Sequence, residues 1–506
     1  MSRLRRHFLF CAVLFVSAFA FTAALAQTAP RLDHTISIAD AAKHLFHFKV
    51  QVSNVTGKTM DISLPSWTPG WYTIRPYAAN LIKLQANANG KRLPMRATDK
   101  QSYRIETEGN RSFTIEYDYF ANNLAVNGAE LTEKRGYFMG TNLFFYVPGH
   151  TTDSPSTVKF EIPDTWRVAT GLKRAEGKNT YLARDFDNLV DCPTVLGDFD
   201  EFTTTALGKT IHIVIDPKGQ ISPENAEKLK KYVSRVIESQ GKMFGGLPYD
   251  EYWVLFVTGR GGGALEHENS TNVMMPSFPP DPRFAVGVTS HEHFHAWNVK
   301  RLKPAALMPY DYSKEQYVSE LWFAEGFTNY YGDLHIRRAG LNTTEDYLRS
   351  LGNKIRGLQS VEARNWVSLA DASTITWLSY GGGAGSYANF TTDYYNKGEL
   401  VGLLLDLEIR AATGNKKSLD DVMRFLFDNF YKKGKGYTAG DVELVVSDIA
   451  RRSFKEFFAK YVNGTAELDY NAAFKHAGLR LADGKVVDAE NLTDQQRALR
   501  KSWLGE

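Results

Sequence analysis

Short runs in which hydrophobic and polar residues alternate fill the chain from about residue 32 to residue 205. Clear examples lie at 47–52, 112–117 and 158–162, and turn sequences such as Asn89-Gly90 separate the runs. Alternation with a period of two is typical of strands that bury one face. The pattern predicts an antiparallel β-sandwich as the N-terminal β domain, at residues 27–205.

The period of the pattern changes to that of a helix near residue 221. Charged and apolar positions interleave with helical spacing at 223–243, and a strand-like apolar run follows at 253–257. From residue 398 onward almost all of the periodicity is helical. These changes predict an α+β chain, with a mixed domain at 206–395 and a helical C-terminal domain at 396–482. The charged and weakly patterned end, 483–506, is interpreted as a tail or the remnant of a linker.

The first 26 residues have the three parts of a cleavable signal peptide. A basic start with three arginines precedes an apolar run at 8–23, and Ala24-Leu25-Ala26 follows as a cleavage site. We therefore expect cleavage after Ala26 and a periplasmic or secreted protein. No later apolar run is long enough to span a bilayer, so we expect no stable membrane insertion after cleavage.

Composition narrows the class of protein. With 43% hydrophobic and 13% aromatic residues among 506, the chain has ample material for globular cores. Residues 1–26 carry three arginines and no acidic residue, so the remaining chain has 57 basic and 57 acidic residues. Nothing in this balance indicates nucleic acid as a partner. Only Cys192 remains after removal of the signal peptide, which excludes an intramolecular disulfide and favours a buried structural thiol.

A metal-binding motif stands in the middle of the chain. The sequence His291-Glu292-His293-Phe294-His295 places two histidines four residues apart, which puts both imidazoles on one face of a helix. Glu325 follows within a helix-like segment of its own. We predict that His291, His295 and Glu325 hold one Zn²⁺ ion and leave a fourth position open, as in catalytic zinc sites. Glu292 would lie beside the ion and take a proton from the attacking water.

A chance occurrence of the motif, or a solvated histidine-rich helix face, is the alternative interpretation. Two observations favour the metal site. The flanks indicate a helix that begins near Asp281 and carries Phe284 and Val288 on the same stripe as the ligand histidines. Glu325 also lies further along the chain, in a helix-like segment of its own. His293 lies off the stripe, and we interpret it as a support for the ligands or as a packed core residue.

A second candidate site precedes the motif. A glycine-rich run at 261–263 leads into Glu266, and it lacks the lysine and the serine or threonine of a phosphate-binding loop. An edge strand whose backbone approaches a ligand closely is therefore expected. A peptide would add to this edge by main-chain hydrogen bonds, and Glu266 would meet its free amino group. A solvent-exposed acid is the alternative for Glu266, and Glu268, on the same side, is the competing candidate.

Further candidates come from aromatic and amide residues. A hydroxyl of Tyr394 or Tyr395 would hydrogen-bond the oxyanion that forms in peptide hydrolysis, although adjacent tyrosines also serve packing alone. Asn329, in the segment of the third ligand, would orient a ligand histidine. The aromatic turn at 66–72 is interpreted as core packing or an interface plug, or as a wall of the substrate cleft. The glycine run at 381–385 is interpreted as a rim of the cleft or a surface loop.

These motifs resemble those of the gluzincin metallopeptidases, and the stretch 295–304 is similar to the glycyl aminopeptidase family. Other similar stretches lie at 64–72, 262–267, 322–331 and 395–398. The resemblance implies a thermolysin-like zinc-peptidase catalytic domain at 206–395 and a single zinc ion. It also implies that Glu266 recognises a free amino terminus and that Tyr395 stabilises the transition state.

The chain departs from this family at two places. Asn396 stands where relatives have glutamate, which leaves the choice between Tyr394 and Tyr395 open. Members of the family typically continue into a PDZ-like domain after a Trp-Leu-Gly stretch. This sequence stops at Trp503-Leu504-Gly505-Glu506, so we expect no PDZ-like domain.

The resulting hypothesis is an exported zinc-dependent aminopeptidase that removes small N-terminal residues, glycine or alanine, from peptides with a free N-terminus. One alternative is a zinc endopeptidase, in which Glu266 does not bind an amine. Another is a non-catalytic, zinc-containing envelope protein that binds peptides. The presence of Glu292 argues against the last alternative, because a structural zinc site has no need of it.

Overall fold

A computed structural model describes residues 29–381 and 390–506 of the chain. The predicted signal peptide at 1–26 and positions 382–385 of the glycine run lie outside the described residues. Sheets make up the N-terminal part and helices predominate toward the C-terminus, which confirms the predicted α+β class. Among the described helices, none has the length and apolar character needed to cross a membrane.

Three sheets form the N-terminal part of the described chain. The largest has eight strands, in the spatial order Lys173–Arg174, Thr180–Ala183, Ser156–Glu161, Arg31–Asp40, Leu45–Ser53, Phe113–Phe120, Leu81–Ala88 and Lys91–Arg92. A five-stranded sheet has the order Arg167–Thr170, Thr194–Gly197, Arg135–Phe138, Ala129–Leu131 and Asn122–Asn123. A three-stranded sheet has the order Thr59–Ser63, Ser102–Glu106 and Met95–Ala97.

The two larger sheets pack against each other through aromatic side chains. Phe46 and Phe138, one from each sheet, are buried and meet edge to face with ring centroids 5.9 Å apart. Burial alternates along Leu45–Ser53, as the period of two predicts, so one face of the strand supplies the core. One pair of strands departs from the prediction. Arg31–Asp40 runs parallel to Ser156–Glu161, so the sheet is not purely antiparallel.

A second five-stranded sheet follows in the chain. Its spatial order is Asp200–Ala206, Lys209–Asp216, Glu251–Thr258, Ser270–Met275 and Gly263–Glu266. The middle three strands run parallel, and the helix Pro223–Phe244 makes the long crossover between the first two of them. Gly263–Glu266 is antiparallel to its neighbour and lies at the edge of the sheet, and we call it the edge strand. The domain boundary predicted after residue 205 falls inside Asp200–Ala206, which pairs with Lys209–Asp216.

Helices supply most of the remaining structure. In chain order the α-helices are Phe186–Val190, Pro223–Phe244, Arg283–Phe294, Phe327–Arg338, Thr344–Gln359, Leu369–Thr374, Thr376–Gly381, Tyr394–Ala412, Leu419–Asn429, Ala439–Ala450, Lys455–Tyr461, Tyr470–Phe474 and Asp494–Leu504. Three of them surround the predicted site. We call Arg283–Phe294 the metal helix, Phe327–Arg338 the glutamate helix and Tyr394–Ala412 the tyrosine helix. The domain boundary predicted after residue 395 falls inside the tyrosine helix.

The segment 483–506, expected to be a tail, is an ordered part of the fold. Lys485–Asp488 pairs in a hairpin, and Asp494–Leu504 is a helix. Trp503 is fully buried, and its Nε1 donates a hydrogen bond of 2.9 Å to the hydroxyl of Tyr330 on the glutamate helix. Few apolar residues anchor this helix, so its charged sequence carries only a weak periodic signal.

Candidate metal centre

The stripe of the metal helix that leads to the motif is exposed at its N-terminal end. Phe284 and Val288, on the stripe of His291, are 75% and 38% exposed, so this stripe does not face the core as a hydrophobic stripe usually does. Asp281 Oδ1 accepts a hydrogen bond of 2.9 Å from the backbone nitrogen of Arg283, which supports the predicted start of the helix. On this stripe His291 is 18% exposed, whereas His295 is buried.

His291, His295 and Glu325 converge with their coordinating atoms in a small triangle. Nε2 of His295 lies 3.0 Å from Nε2 of His291 and 3.1 Å from Oε2 of Glu325. The third side, from His291 Nε2 to Glu325 Oε2, measures 3.5 Å. Ligand atoms at the bond lengths of a tetrahedral zinc site, about 2.0–2.1 Å, are separated by about 3.3 Å. The triangle has the size that zinc requires, and two imidazoles with one carboxylate are a donor set that suits it.

Negative charge concentrates around this triangle. Glu266 and Glu292 are buried, and their carboxylate oxygens lie within 4.8 Å of each other and of a ring nitrogen of His295. Burial lowers the pKa of His295, but the carboxylates of Glu325, Glu266 and Glu292 outweigh burial and raise this pKa to about 10. Burial raises the pKa of Glu292 well above its usual value. Burying three carboxylates beside one imidazole costs solvation free energy. A bound cation would offset that cost, so the arrangement favours one.

The third ligand comes from a π-helical turn. Trp322–Gly326 forms this turn directly before the glutamate helix, and π-turns within helices often occur at functional sites. A Cβ at Gly326 would lie 2.5 Å from the Cα of Gly398 on the tyrosine helix, so only glycine fits there. The close approach of the two backbones fixes Glu325 relative to the tyrosine helix.

Asn298, to which the sequence analysis assigned no role, connects two ligand-bearing segments. His295 Nδ1 donates a hydrogen bond of 2.7 Å to the backbone oxygen of Asn298, which leaves Nε2 of the neutral ring for a metal. Asn298 Nδ2 donates to the backbone oxygens of Phe323 and Ala324 in the π-turn, at 3.0 and 3.2 Å. One residue thus sets the orientation of the His295 ring and supports the turn that carries Glu325. Its only signal in the sequence is its place in the stretch 295–304.

The two predicted supports of the ligands differ in their roles. Burial lowers the pKa of His291, and the side chain of Asn329 opposes this shift. His293 is a buried core residue whose Nδ1 donates to Gln240 Oε1 at 2.5 Å and whose Nε2 accepts from the hydroxyl of Tyr249. Burial lowers the pKa of His293 to about 3. Both ring nitrogens of His293 are therefore used in hydrogen bonds within the core.

The edge strand brings Glu266, and not Glu268, to the metal centre. Glu268 forms ion pairs with Arg184 at 2.6 Å and with Arg301 at 3.6 Å. Glu266 is 4% exposed, so it is not a solvent-exposed acid. Burial raises the pKa of Glu266. A cationic group of a ligand would offset this cost of burying the carboxylate.

The two adjacent tyrosines have different surroundings. Tyr394 is buried, and its hydroxyl lies 2.9 Å from Oγ1 of Thr376. Tyr395 is half-buried, and its ring centroid lies 6.2 Å from that of His291. This geometry favours Tyr395 as the tyrosine that faces the metal centre.

Lys354 anchors the start of the tyrosine helix. Asn396 Nδ2 donates to the backbone oxygen of Lys354 at 3.0 Å, and Lys354 Nζ lies 2.6 Å from both carboxylate oxygens of Glu399. The side chains that flank Tyr395 therefore fix the first turns of the helix. Asn396 donates a bond that the glutamate expected from the resemblance could not donate.

A buried ionic cluster links the N-terminal β domain to the site. Asp191 Oδ1 lies 2.6 Å from Lys300 Nζ and 3.1 Å from His267 Nδ1, and Asp191 Oδ2 accepts from the backbone nitrogen of Glu268 at 2.8 Å. These contacts hold the end of the edge strand and the segment after the metal helix. No motif pointed to Asp191. Its neighbour Cys192 is buried, and burial raises the pKa of its thiol, as expected for a structural cysteine.

Comparisons with known proteins agree with this geometry. Two family models match the chain: the Peptidase M61 N-terminal domain over residues 33–198 and M61 glycyl aminopeptidase over residues 285–401. No curated protein matches the chain. A solved aminopeptidase N family protein from Idiomarina loihiensis is 26% identical, with a TM-score of 0.83 over 92% of this chain and 82% of its own.

Two more distant structures share the fold. An M1 zinc metallopeptidase from Deinococcus radiodurans is 15% identical, with a TM-score of 0.53 over 83% of this chain and 90% of its own. The yeast LTA4 hydrolase, solved in complex with bestatin, is 15% identical, with a TM-score of 0.54 over 86% of this chain and 65% of its own.

The fold and the site together define a zinc metallopeptidase. The chain belongs to the M61 glycyl aminopeptidase family, a family of zinc metallo-aminopeptidases, and it is a hydrolase of peptide bonds. The resemblance that the motifs indicated is therefore confirmed.

Proposed function

We propose that this chain is an exported zinc aminopeptidase that removes small N-terminal residues, glycine or alanine, from peptides with a free amino terminus. The position of Glu266 carries the proposal, because its buried carboxylate lies within 4.8 Å of Glu292 and His295. In a peptide only two bonds separate the α-amino nitrogen from the first carbonyl carbon. An acid this close to the metal ligands would bind the amino terminus one residue before the cleaved bond.

The side chains divide the chemistry between them. A zinc ion held by the three ligands would supply Lewis-acid chemistry at the scissile carbonyl and at the attacking water. Glu292 accepts the proton of that water and passes it to the leaving amine. Tyr395 donates a hydrogen bond to the oxyanion, and Glu266 binds the α-ammonium group. We propose a single ion, because Glu266 and Glu292 then remain available for substrate and proton.

Cleavage of one short peptide in a free and an N-acetylated form tests the proposal. We expect the acetylated form to be cleaved at least about a hundredfold more slowly, because it lacks the charge that pairs with Glu266. Equal cleavage of the two forms would identify an endopeptidase. The control is Glu292→Gln, which should retain zinc and lose turnover. Cleavage by that variant at the parental rate would refute the mechanism.

Specificity and export have separate tests. A panel of aminoacyl anilides, assayed with and without a chelator, should show zinc-dependent hydrolysis that is fastest for glycine or alanine. The description of the matching family as glycyl aminopeptidases supports this expectation. N-terminal sequencing of the protein recovered outside the cytoplasm should begin at Gln27. A mature protein that retains residues 1–26 would refute cleavage after Ala26.

A further inference from the structure

A turn from the N-terminal β domain lies directly against Glu266. The backbone nitrogen of Trp71 donates to the backbone oxygen of Thr68 at 2.8 Å, with Pro69 and Gly70 in the two central positions. Gly70 has a φ of +91°, the left-handed conformation that a type II turn requires at this position. We call residues 68–71 the cleft turn.

The two central residues of the cleft turn face different spaces. A Cβ on Gly70 would lie 2.6 Å from Oε1 and 3.0 Å from Oε2 of Glu266. Thr68 and Pro69 line a separate cavity of about 370 Å³, whose other walls include Lys300. The cleft turn is therefore the wall between Glu266 and the cavity.

Hydrogen bonds to two parts of the chain hold the start of this wall in place. Thr68 Oγ1 lies 2.9 Å from the hydroxyl of Tyr77 and 2.6 Å from Oγ1 of Thr141, and all three side chains are buried. Trp67 Nε1 donates to the backbone oxygen of Asp311 at 2.8 Å. Because the N-terminal domain and the segment after the metal helix both bind the turn, the wall keeps its place beside Glu266.

We propose that the cleft turn is a specificity-determining element, which closes the cleft behind Glu266 and restricts cleavage to the first peptide bond. The proposal rests on the proposed aminopeptidase function and deepens it. Glu266 attracts an ammonium group, but a carboxylate alone does not stop a longer chain from passing. The turn stops it, because the space between Gly70 and Glu266 does not admit one additional carbon atom.

Gly70→Ala tests the contact with Glu266, and Gly90→Ala is its matched control. Gly90 also has a left-handed φ, +76°, but nothing lies within 4 Å of a Cβ there. Both variants place alanine at a positive φ, and they differ in the contacts of its Cβ with Glu266 and with Leu265 Cδ1, which lies 2.8 Å away. We expect Gly70→Ala to raise KM for alanyl anilide at least about tenfold, and Gly90→Ala to stay within about twofold of the parent. Equal KM values in the two variants, both with parental zinc content, would overturn the proposal.

Pro69→Gly tests the wall from the side of the cavity and adds no atoms. We expect the rate of dipeptide release from a dipeptidyl anilide, relative to hydrolysis of alanyl anilide, to rise at least about fivefold. Pro94→Gly, at an exposed position of the same domain, is the control for the loss of a proline. A ratio in Pro69→Gly equal to that of the control would overturn the proposal, even if Gly70→Ala does not fold. Failure of the proposed function has a different signature, since the parent itself would then cleave free and acetylated substrates equally.

Discussion

Replacement of Gly398 by alanine tests whether the tyrosine helix positions Tyr395 at the metal centre. A Cβ at Gly398 would lie 2.5 Å from the backbone oxygen of Trp322 and 3.0 Å from the Cα of Gly326. Contacts between carbon and oxygen are normally no shorter than about 3.3 Å, so the two backbones would have to separate by about 0.8 Å. Both neighbours are backbone atoms, so no side chain can move aside to absorb the change.

A displacement of that size costs catalysis and folding comparable amounts of free energy. Overpacking of this kind costs about 1–3 kcal/mol of folding free energy. Misplacement of an active-site group by about 1 Å lowers the rate by about a hundredfold. Tyr395 lies one turn before Gly398 and would act only on the oxyanion. We therefore expect kcat to fall by about ten- to a hundredfold, while KM stays within about threefold of the parent.

Steady-state hydrolysis of an aminoacyl anilide measures both constants, and the zinc content of each preparation is measured alongside. Gly440→Ala is the matched control, because Gly440 is an exposed helix residue and a Cβ there meets nothing closer than Thr438 Oγ1 at 3.8 Å. If Gly398→Ala retains zinc and has the parental kcat, the contact between the helices does not set the position of Tyr395, and the reasoning is refuted.

Two other residues give predictions that are independent of this contact. Asn298→Ala should lower zinc affinity by about 10- to 100-fold, because the π-turn that carries Glu325 loses its side-chain support; an unchanged affinity in competition with a chelator would exclude that role. His34 is buried, and burial lowers its pKa from 6.5 to about 4, so the unfolded state binds a proton that the folded state excludes. The stability contributed by this neutral histidine is fully present above pH 6.5 and is lost as the pH falls toward 4. Between pH 7 and pH 5 the loss is about 2 kcal/mol. In urea unfolding, His34→Leu should lack this loss of unfolding free energy between pH 7 and pH 5. The same pH dependence in variant and parent would contradict its attribution to His34.

Much of the fold and of the metal site could be predicted because the signals are local. Strand alternation and helical periodicity act over a few residues and mark which face of an element is apolar. The spacing of His291 and His295 places both rings on one side of any helix, whatever packs around it. The Pro69-Gly70 pair favours a tight turn for equally local reasons, since proline presets φ at the first central position and glycine allows a positive φ at the second.

Other features depended on contacts between distant segments, and only the tertiary structure decided them. Glu266 and Glu268 look equivalent in sequence, but ion pairs with Arg184 and Arg301 hold Glu268 elsewhere. Tyr394 and Tyr395 look equivalent in sequence, but the hydroxyl of Tyr394 forms a hydrogen bond with Thr376.

The same holds where periodicity pointed the wrong way. Phe284 and Val288 lie on the predicted helical stripe but are partly exposed, and Trp503 anchors a helix whose charged sequence resembled a tail. A local pattern specifies which residues an element can bury. Which residues it does bury depends on the partner that packs against it, and that partner comes from another part of the chain. By itself, the sequence determined the fold class and marked two histidines and a glutamate as candidate metal ligands. It named Glu266 and Tyr395 beside their rivals, and the tertiary structure decided that Glu266 rather than Glu268, and Tyr395 rather than Tyr394, lies close to those residues.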